Sequence, residues 1–332
     1  MVTGASAGIG AATVKRFIEQ GHRTYAAARR LDRMANLEKL GAILLPLDLV
    51  DDSSIEQAAE QVRSEPGRID VLPTNINNAG YGSYGAVQDV PLDQARRQFE
   101  VNVFGLARLV QLITPLMRQQ RSGKILNVSS IGGKGWEPCG AWYHATKFAV
   151  EGFSDCLRVE LKPFGINVIA IKPGGIRTEW DQIALDTLHQ ASGHTAYAPL
   201  VEEKRAVFLA AAGSASDPDV VAREIIQAIR SSRPKTRYAV GSFAKPSLFM
   251  SISMPDRFNA WMMGGHRQDF AEAAEENRRS GSLKPETIFV RHIAHDANRR
   301  LRNLIHHADT KTTSRFHCSD PVRSLFNPPN SL

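Results

Sequence analysis

The chain has 332 residues, 42% hydrophobic and 23% charged, enough to bury a full core in one large domain or in one domain with an appendage. That balance argues against a low-complexity chain, and the net charge of +7 comes without the compact Lys/Arg stripe, interleaved with aromatics, that nucleic-acid binding uses. No apolar run approaches the roughly 20 residues that span a bilayer, a functional-looking loop already begins at Thr3 in place of a secretory leader, and Cys139, Cys156 and Cys318 are too scattered for a disulfide framework, so a reducing cytoplasm is expected.

In chain order, a glycine-rich loop leads into an amphipathic helix that Gly21 stops. A short β-like run at 24–28 follows, then a helix over 32–40 ended by Gly41, and a continuous apolar run at 42–47 that reads as a strand buried on both faces. Ser53 and Glu56 have the spacing of a capping box. A strand is expected at 69–72, a long helix over 92–120, a strand at 124–128, a helix over 142–162 and a strand at 166–171. This strand–helix rhythm predicts a doubly wound parallel sheet of about seven strands with helices on both faces. Such a sheet binds its ligand beyond the carboxyl ends of its strands.

Composition changes near residue 265, which divides the chain into a catalytic domain, 1–265, and an extension, 266–332, that holds six of the ten histidines. The extension is expected to be helical and irregular, partly disordered, with one basic amphipathic helix near 288–308. There Val290, Ile293, Ala294, Ala297, Leu301, Leu304 and Ile305 share a face. His292, His295, His306, His307 and His317 lack a clear metal-ligand spacing around Cys318, so no metal is expected.

Two clusters carry chemistry. Thr3-Gly4-Ala5-Ser6-Ala7-Gly8-Ile9-Gly10 lets backbone approach a pyrophosphate at a helix N-terminus, where free N–H groups and the dipole favour an anion. Tyr143 and Lys147, four apart on a helix, share a face. A neighbouring ammonium favours the phenolate of a tyrosine whose ordinary pKa is near 10. Ser130 lies thirteen residues earlier, at the end of the 124–128 strand, where a hydroxyl can polarise a carbonyl oxygen. The stretch Ala26-Ala27-Ala28-Arg29-Arg30 ends the second strand without the carboxylate that binds a ribose 2′-hydroxyl. The planar fork of Arg29 suits a 2′-phosphate, so NADP is expected over NAD.

Together with Asn77-Asn78-Ala79-Gly80, Asn102 and Pro173-Gly174, these motifs resemble the short-chain dehydrogenase/reductase family over about residues 1–265. The resemblance implies a Rossmann-like fold and an NADP-dependent oxidoreductase that interconverts a ketone or aldehyde and an alcohol, acting as a homodimer or homotetramer on a small-molecule substrate. It implies Tyr143 as the acid/base and Lys147 as the group that holds the nicotinamide ribose. Ser130 would bond the substrate oxygen, and Asn102 would support a water-linked proton relay. Thr3, Gly4, Ser6, Gly8, Ile9 and Gly10 would cradle the cofactor. Asp48, Asn78, Ala79 and Gly80 would meet its adenosine side, with Arg29 and Arg30 at the 2′-phosphate. Pro173, Gly174, Ile176 and Thr178 would lie at its nicotinamide. His144 reads as structural. The segment 177–199 is expected to be a loop closing over the site, with Trp180, Ile183, Leu185, Leu188 and Tyr197 joining Trp136 and Tyr81 around an apolar substrate. Two departures stand out. Only Met1 and Val2 precede the glycine loop, leaving little first strand, and Pro73 falls where it would break a central strand. A dinucleotide-binding regulatory or scaffolding protein of the same fold is the alternative reading.

Overall fold

A computed structural model describes residues 1–64, 68–74 and 82–253. The described residues belong to the first of two units of the chain, Met1–Arg279. Seven parallel strands are present among them: β1 (Val2–Thr3), β2 (Tyr25–Ala28), β3 (Ile43–Pro46), β4 (Val71–Thr74), β5 (Gly123–Val128), β6 (Ile166–Pro173) and β7 (Arg237–Val240). They form two ladders, β1-β2-β3 and β4-β5-β6-β7. The ladders meet where β1 lies against β4, with Met1 N donating to Val71 O at 3.1 Å, so the order across the fold is 3-2-1-4-5-6-7.

Helices cover both faces. On one, α3 (Asp52–Ser64), α5 (Gly105–Gln120) and α6 (Ala141–Leu161) bury Ile55, Leu109, Ile113 and Val150 against Leu45, Leu72 and Ile125. On the other, α1 (Gly8–Glu19), α2 (Ala35–Lys39) and α9 (Pro218–Arg230) bury Val14, Leu37 and Ile225 against Leu126, Ile169 and Ile171. The remaining helices are α4 (Leu92–Phe99), α7 (Trp180–Ser192), α8 (Ala198–Ala212) and α10 (Ala244–Ser253). The alternation of apolar runs with 3.6-period stripes thus yields the doubly wound, Rossmann-like architecture.

Several local expectations change. The first strand is short but real: Val2 pairs with Ala26 and Thr3 with Ala27. Pro73 does not break β4, where it pairs with Leu126. Lys124 N bonds Asp70 O, and alternation then gives the β5-facing bonds to even-numbered residues and turns the missing donor of Pro73 toward β1. β3 is not buried on both faces: it ends its ladder, Ile43 and Leu44 are half-buried and Pro46 is exposed. The cap of α3 is Asp51, which accepts from Ser53 N at 3.0 Å, rather than Ser53 itself. Residues 92–120 form one helical run interrupted by a π turn, Glu100–Phe104. By length and composition this run suffices to cross a membrane, contrary to the expectation of no such segment, yet Leu106, Leu109, Ile113 and Met117 are buried against the sheet. The segment 177–199 is helical rather than loop: Ala184 and Leu188, one turn apart, are buried in α7. The division at residue 265, the helix near 288–308, the extension's histidines and Cys318 fall outside the described residues.

The alternation in β4 makes a direct prediction. Pro73→Ala leaves the sheet assembled, whereas Leu72→Pro, which removes a β5-facing donor, unfolds about 3 kcal/mol more easily than Leu72→Ala in urea titrations. Equal stabilities for Leu72→Pro and Leu72→Ala would contradict the assignment.

Candidate active site

The carboxyl ends of β1, β2 and β3 open on a shallow cleft lined by Thr3, Gly4, Ser6, Arg29, Arg30 and Asp48, together with Leu49, Arg97 and Val101. Gly4 and Gly8 take positive φ, 66° and 49°, which only glycine adopts at little cost. At Gly10 a Cβ would come within 2.1 Å of Gly4 O, so the helix can approach the loop this closely only without a side chain. Ile9 is buried in the core and contributes no side chain to the cleft. The first turn of α1 has no side-chain cap, which leaves its N–H groups directed at the loop.

Arg29 and Arg30 are exposed beside this cleft. The stretch 26–30 holds no acid, but the fold brings one to it from a distant segment. Glu179, just ahead of α7, lies 3.6 Å from Arg30 and accepts two bonds from Arg33 at 2.9 Å each. These guanidinium groups hold the Glu179 carboxyl below its usual range, Arg33 most strongly.

The second cluster lies where β5 ends and α6 begins. Ser130 caps a short turn by accepting from Gly132 N at 3.0 Å. A Cβ at Gly132 would meet the Tyr143 ring at 3.3 Å, so the serine turn sits directly on the first turn of α6. Lys147 is fully buried, donates to Val128 O at 3.2 Å, and has its Nζ 5.8 Å from the centre of the Tyr143 ring. Burial pushes its ammonium down to about 7, and Glu151 one turn further along opposes the shift. Asn102, in the π turn, donates to Thr146 Oγ1 at 3.2 Å, and Thr146 in turn bonds Tyr143 O. A single π turn inside an α-helix is common at functional sites, and here it delivers Asn102 to α6. Ser130, Tyr143, Lys147 and Asn102 are therefore brought together.

Pro173 and Gly174 end β6, where a Cβ at Gly174 would strike Ser242 O at 2.1 Å. Ile176 is buried, and Thr178 accepts from Trp180 N at 3.3 Å. Asn77, Asn78, Ala79, Gly80 and Tyr81 lie outside the described residues.

The apolar neighbours of Tyr143 differ in part from those expected. Trp180 lies 5.1 Å from it ring to ring and Leu188 joins the same cluster. Trp136 and Ile183 are exposed, and Tyr197 bonds Gln88. Tyr84 (5.6 Å from Tyr143), Cys139, Ala184, Leu200, Val201 and Phe208 complete the cluster. None of them is marked in the sequence, because they come from separate stretches and only the fold brings them together. His144 is buried, with Nδ1 2.9 Å from Gly132 O and Nε2 3.7 Å from Glu137. Glu137 also accepts from Tyr84 Oη at 2.9 Å and pairs with the buried Lys204 of α8.

Residues 1–188 match the family model for short chain dehydrogenases. A probable short-chain type dehydrogenase/reductase of Helicobacter pylori is 33% identical over 241 residues, covering 73% of this chain and 87% of that protein. A 3-ketodihydrosphingosine reductase of Bacteroides thetaiotaomicron is 41% identical over 179 residues, 54% of this chain and 64% of that one. Among solved structures, a short-chain dehydrogenase from Streptomyces avermitilis superposes with a TM-score of 0.66 at 30% identity, over 78% of this chain and 95% of its own. An actinorhodin polyketide ketoreductase variant with NADPH superposes at 0.61 and 26% identity, over 71% and 92%.

The buried lysine makes stability depend on pH. Between about 7 and its ordinary value of 10.5, Lys147 binds fewer protons folded than unfolded, so its burial costs less as pH rises through that window. Lys147→Met is expected to be stabilised relative to the parent at pH 7, with the advantage shrinking toward pH 10 in denaturant titrations; a pH-independent difference would contradict the burial of an ionisable amine.

Proposed function

The chain belongs to the short-chain dehydrogenase family and is an oxidoreductase, and on that premise we propose that it interconverts a ketone or aldehyde and an alcohol using NADP, with Tyr143 as acid/base. The observation that carries this reading is the Ser130–Tyr143–Lys147 arrangement around the end of β5, with Lys147 held by Val128 O. The residues of the cleft fit a dinucleotide: a close-packed glycine loop, an uncapped helix N-terminus and two exposed arginines beside it.

A nicotinamide dinucleotide bound there supplies or accepts the hydride. The chain's own residues handle the rest. In reduction Tyr143 gives its phenolic proton to the carbonyl oxygen, which Ser130 orients through its hydroxyl. Lys147 lies close enough to favour the phenolate that Tyr143 becomes. Asn102 holds α6 through Thr146, which keeps the tyrosine in register with the serine turn. Thr3, Gly4, Ser6 and Gly8 to Gly10 hold the pyrophosphate side, Asp48 the adenosine side, and Ile176 and Thr178 the nicotinamide side.

NADP is preferred over NAD because Arg29 and Arg30 offer guanidinium groups to a 2′-phosphate. Glu179 competes for one of them. The chain acts as a homo-oligomer, with the exposed Phe148 and Val159 of α6 as candidate contacts. The free thiols Cys139 and Cys156 suit a reducing cytoplasm. A scaffolding role without turnover is the second reading, favoured by the burial of Tyr143 under aromatic rings.

Tyr143→Phe is expected to lower NADPH-dependent carbonyl reduction by a factor of about 10² or more while NADPH still binds; retained turnover would remove the assignment. Glu179→Gln, which frees Arg30, is expected to tighten NADPH binding several-fold and leave NADH unchanged, whereas Arg29→Ala weakens NADPH alone. Equal effects on both cofactors in fluorescence titrations would contradict a 2′-phosphate site.

A further inference from the structure

The phenol of Tyr143 is not open to a substrate. Tyr143 is 5% exposed, enclosed by the rings of Trp180 at 5.1 Å, His144 at 5.5 Å and Tyr84 at 5.6 Å, and Trp180 is itself edge-on to Tyr84 (5.7 Å) and stacked on Phe208 (6.1 Å, 28°). Leu188 of α7 and Val201 of α8 close the same cluster. Of these three rings the indole is the nearest and the one carried by α7, so the surface that holds it describes what a substrate displacing it would meet.

That surface is aromatic and apolar, and its Glu137–Lys204 ion pair is already made. Lys204, 6% exposed, pairs with Glu137 and lies with its Nζ 4.8 Å from the centre of the Phe208 ring and 5.8 Å from that of Tyr84. The cation position over these rings is thus taken by the protein's own lysine. Glu137 is spent on Lys204 and on the Tyr84 hydroxyl. Asp181, beside Trp180 in the first turn of α7, is pushed up to about 6 by burial, so this region already disfavours one carboxylate and would disfavour a second. The indole Nε1 is buried without an acceptor among the described residues and lies where a Cβ on Gly82 would meet it at 2.7 Å. Its unmade hydrogen bond is a cost of this position that displacement of the indole would relieve.

Resting on the reductase reading above, we propose that Trp180 is an internal stand-in for the substrate, and that the pocket it fills takes an uncharged, flat, ring-bearing carbonyl compound that displaces the indole from Tyr143. The α7–α8 segment opens to admit it, and charged carbonyl compounds are excluded because the Glu137–Lys204 pair is already made and burial among these rings disfavours a further charge.

Ligand binding tests this without turnover. The full chain, free of cofactor, is titrated with methyl 4-acetylbenzoate, 4-acetylbenzoate, 4-acetylbenzylammonium and 2-decanone while tryptophan emission is followed. The ester is expected to bind best and to change the emission through Trp180, so the change disappears in Trp180→Phe. In Trp180→Ala the competing indole is gone and the ester, followed by calorimetry, binds about tenfold tighter, with Trp180→Phe in between. Tighter binding of the carboxylate, the ammonium compound or the open-chain ketone would overturn the substrate class. Weaker ester binding in both Trp180 variants would make Trp180 a wall and overturn the stand-in. Reduction of the ester with NADPH is read separately: binding as expected without reduction would defeat the reductase reading and leave this inference standing.

Discussion

The site depends on one buried bond, from the ammonium of Lys147 to the carbonyl of Val128 at 3.2 Å. Burying an ammonium is costly unless it is hydrogen-bonded, and the carbonyl is supplied by the last residue of β5, the strand that leads into Ser130. The bond therefore ties the helix carrying Tyr143 to the strand end carrying the serine. Its cost is visible in the depression of the Lys147 ammonium to about 7. Asn102 fixes the other side of the same helix through Thr146, and it can do so because the π turn at Glu100–Phe104 shifts the register of the long helix there.

Much of this was legible in the sequence because it rests on periodicity and on glycine. The i, i+4 spacing of Tyr143 and Lys147 survives folding unchanged, since a helix fixes which residues share a face. Gly4, Gly8 and Gly10 were readable because no other residue tolerates their backbone angles or the 2.1 Å approach. Pro73 misled for an instructive reason. Composition does not reveal which edge of a strand a residue presents, and the missing donor faces β1, where β4 makes few bonds. Segment 177–199 misled in another way. Its polar residues read as a loop, whereas its helix is stabilised by tertiary burial of Ala184 and Leu188.

What sequence did not yield are the contacts between distant segments. Glu179 reaches Arg30 and Arg33 across 146 residues in the latter case, and Glu137, Tyr84 and Lys204 come from three separate stretches. Each is an ordinary residue locally, and only the topology makes it part of a site. The same contacts link the two halves of the proposed machinery: the segment bearing Trp180 over Tyr143 begins at the carboxylate paired with the cofactor-side arginines. Cofactor recognition and access to the tyrosine therefore share a structural element, α7 and the residue before it.

The central claim is that a chain with only two residues in its first strand still assembles a dinucleotide cleft at the end of that strand. Titration of the purified full-length chain with NADPH, followed by energy transfer from tryptophan to the bound nicotinamide, tests it without any knowledge of the substrate. The account predicts saturable binding of one NADPH per chain, abolished by Gly10→Val. A folded chain that shows no saturable binding would contradict it.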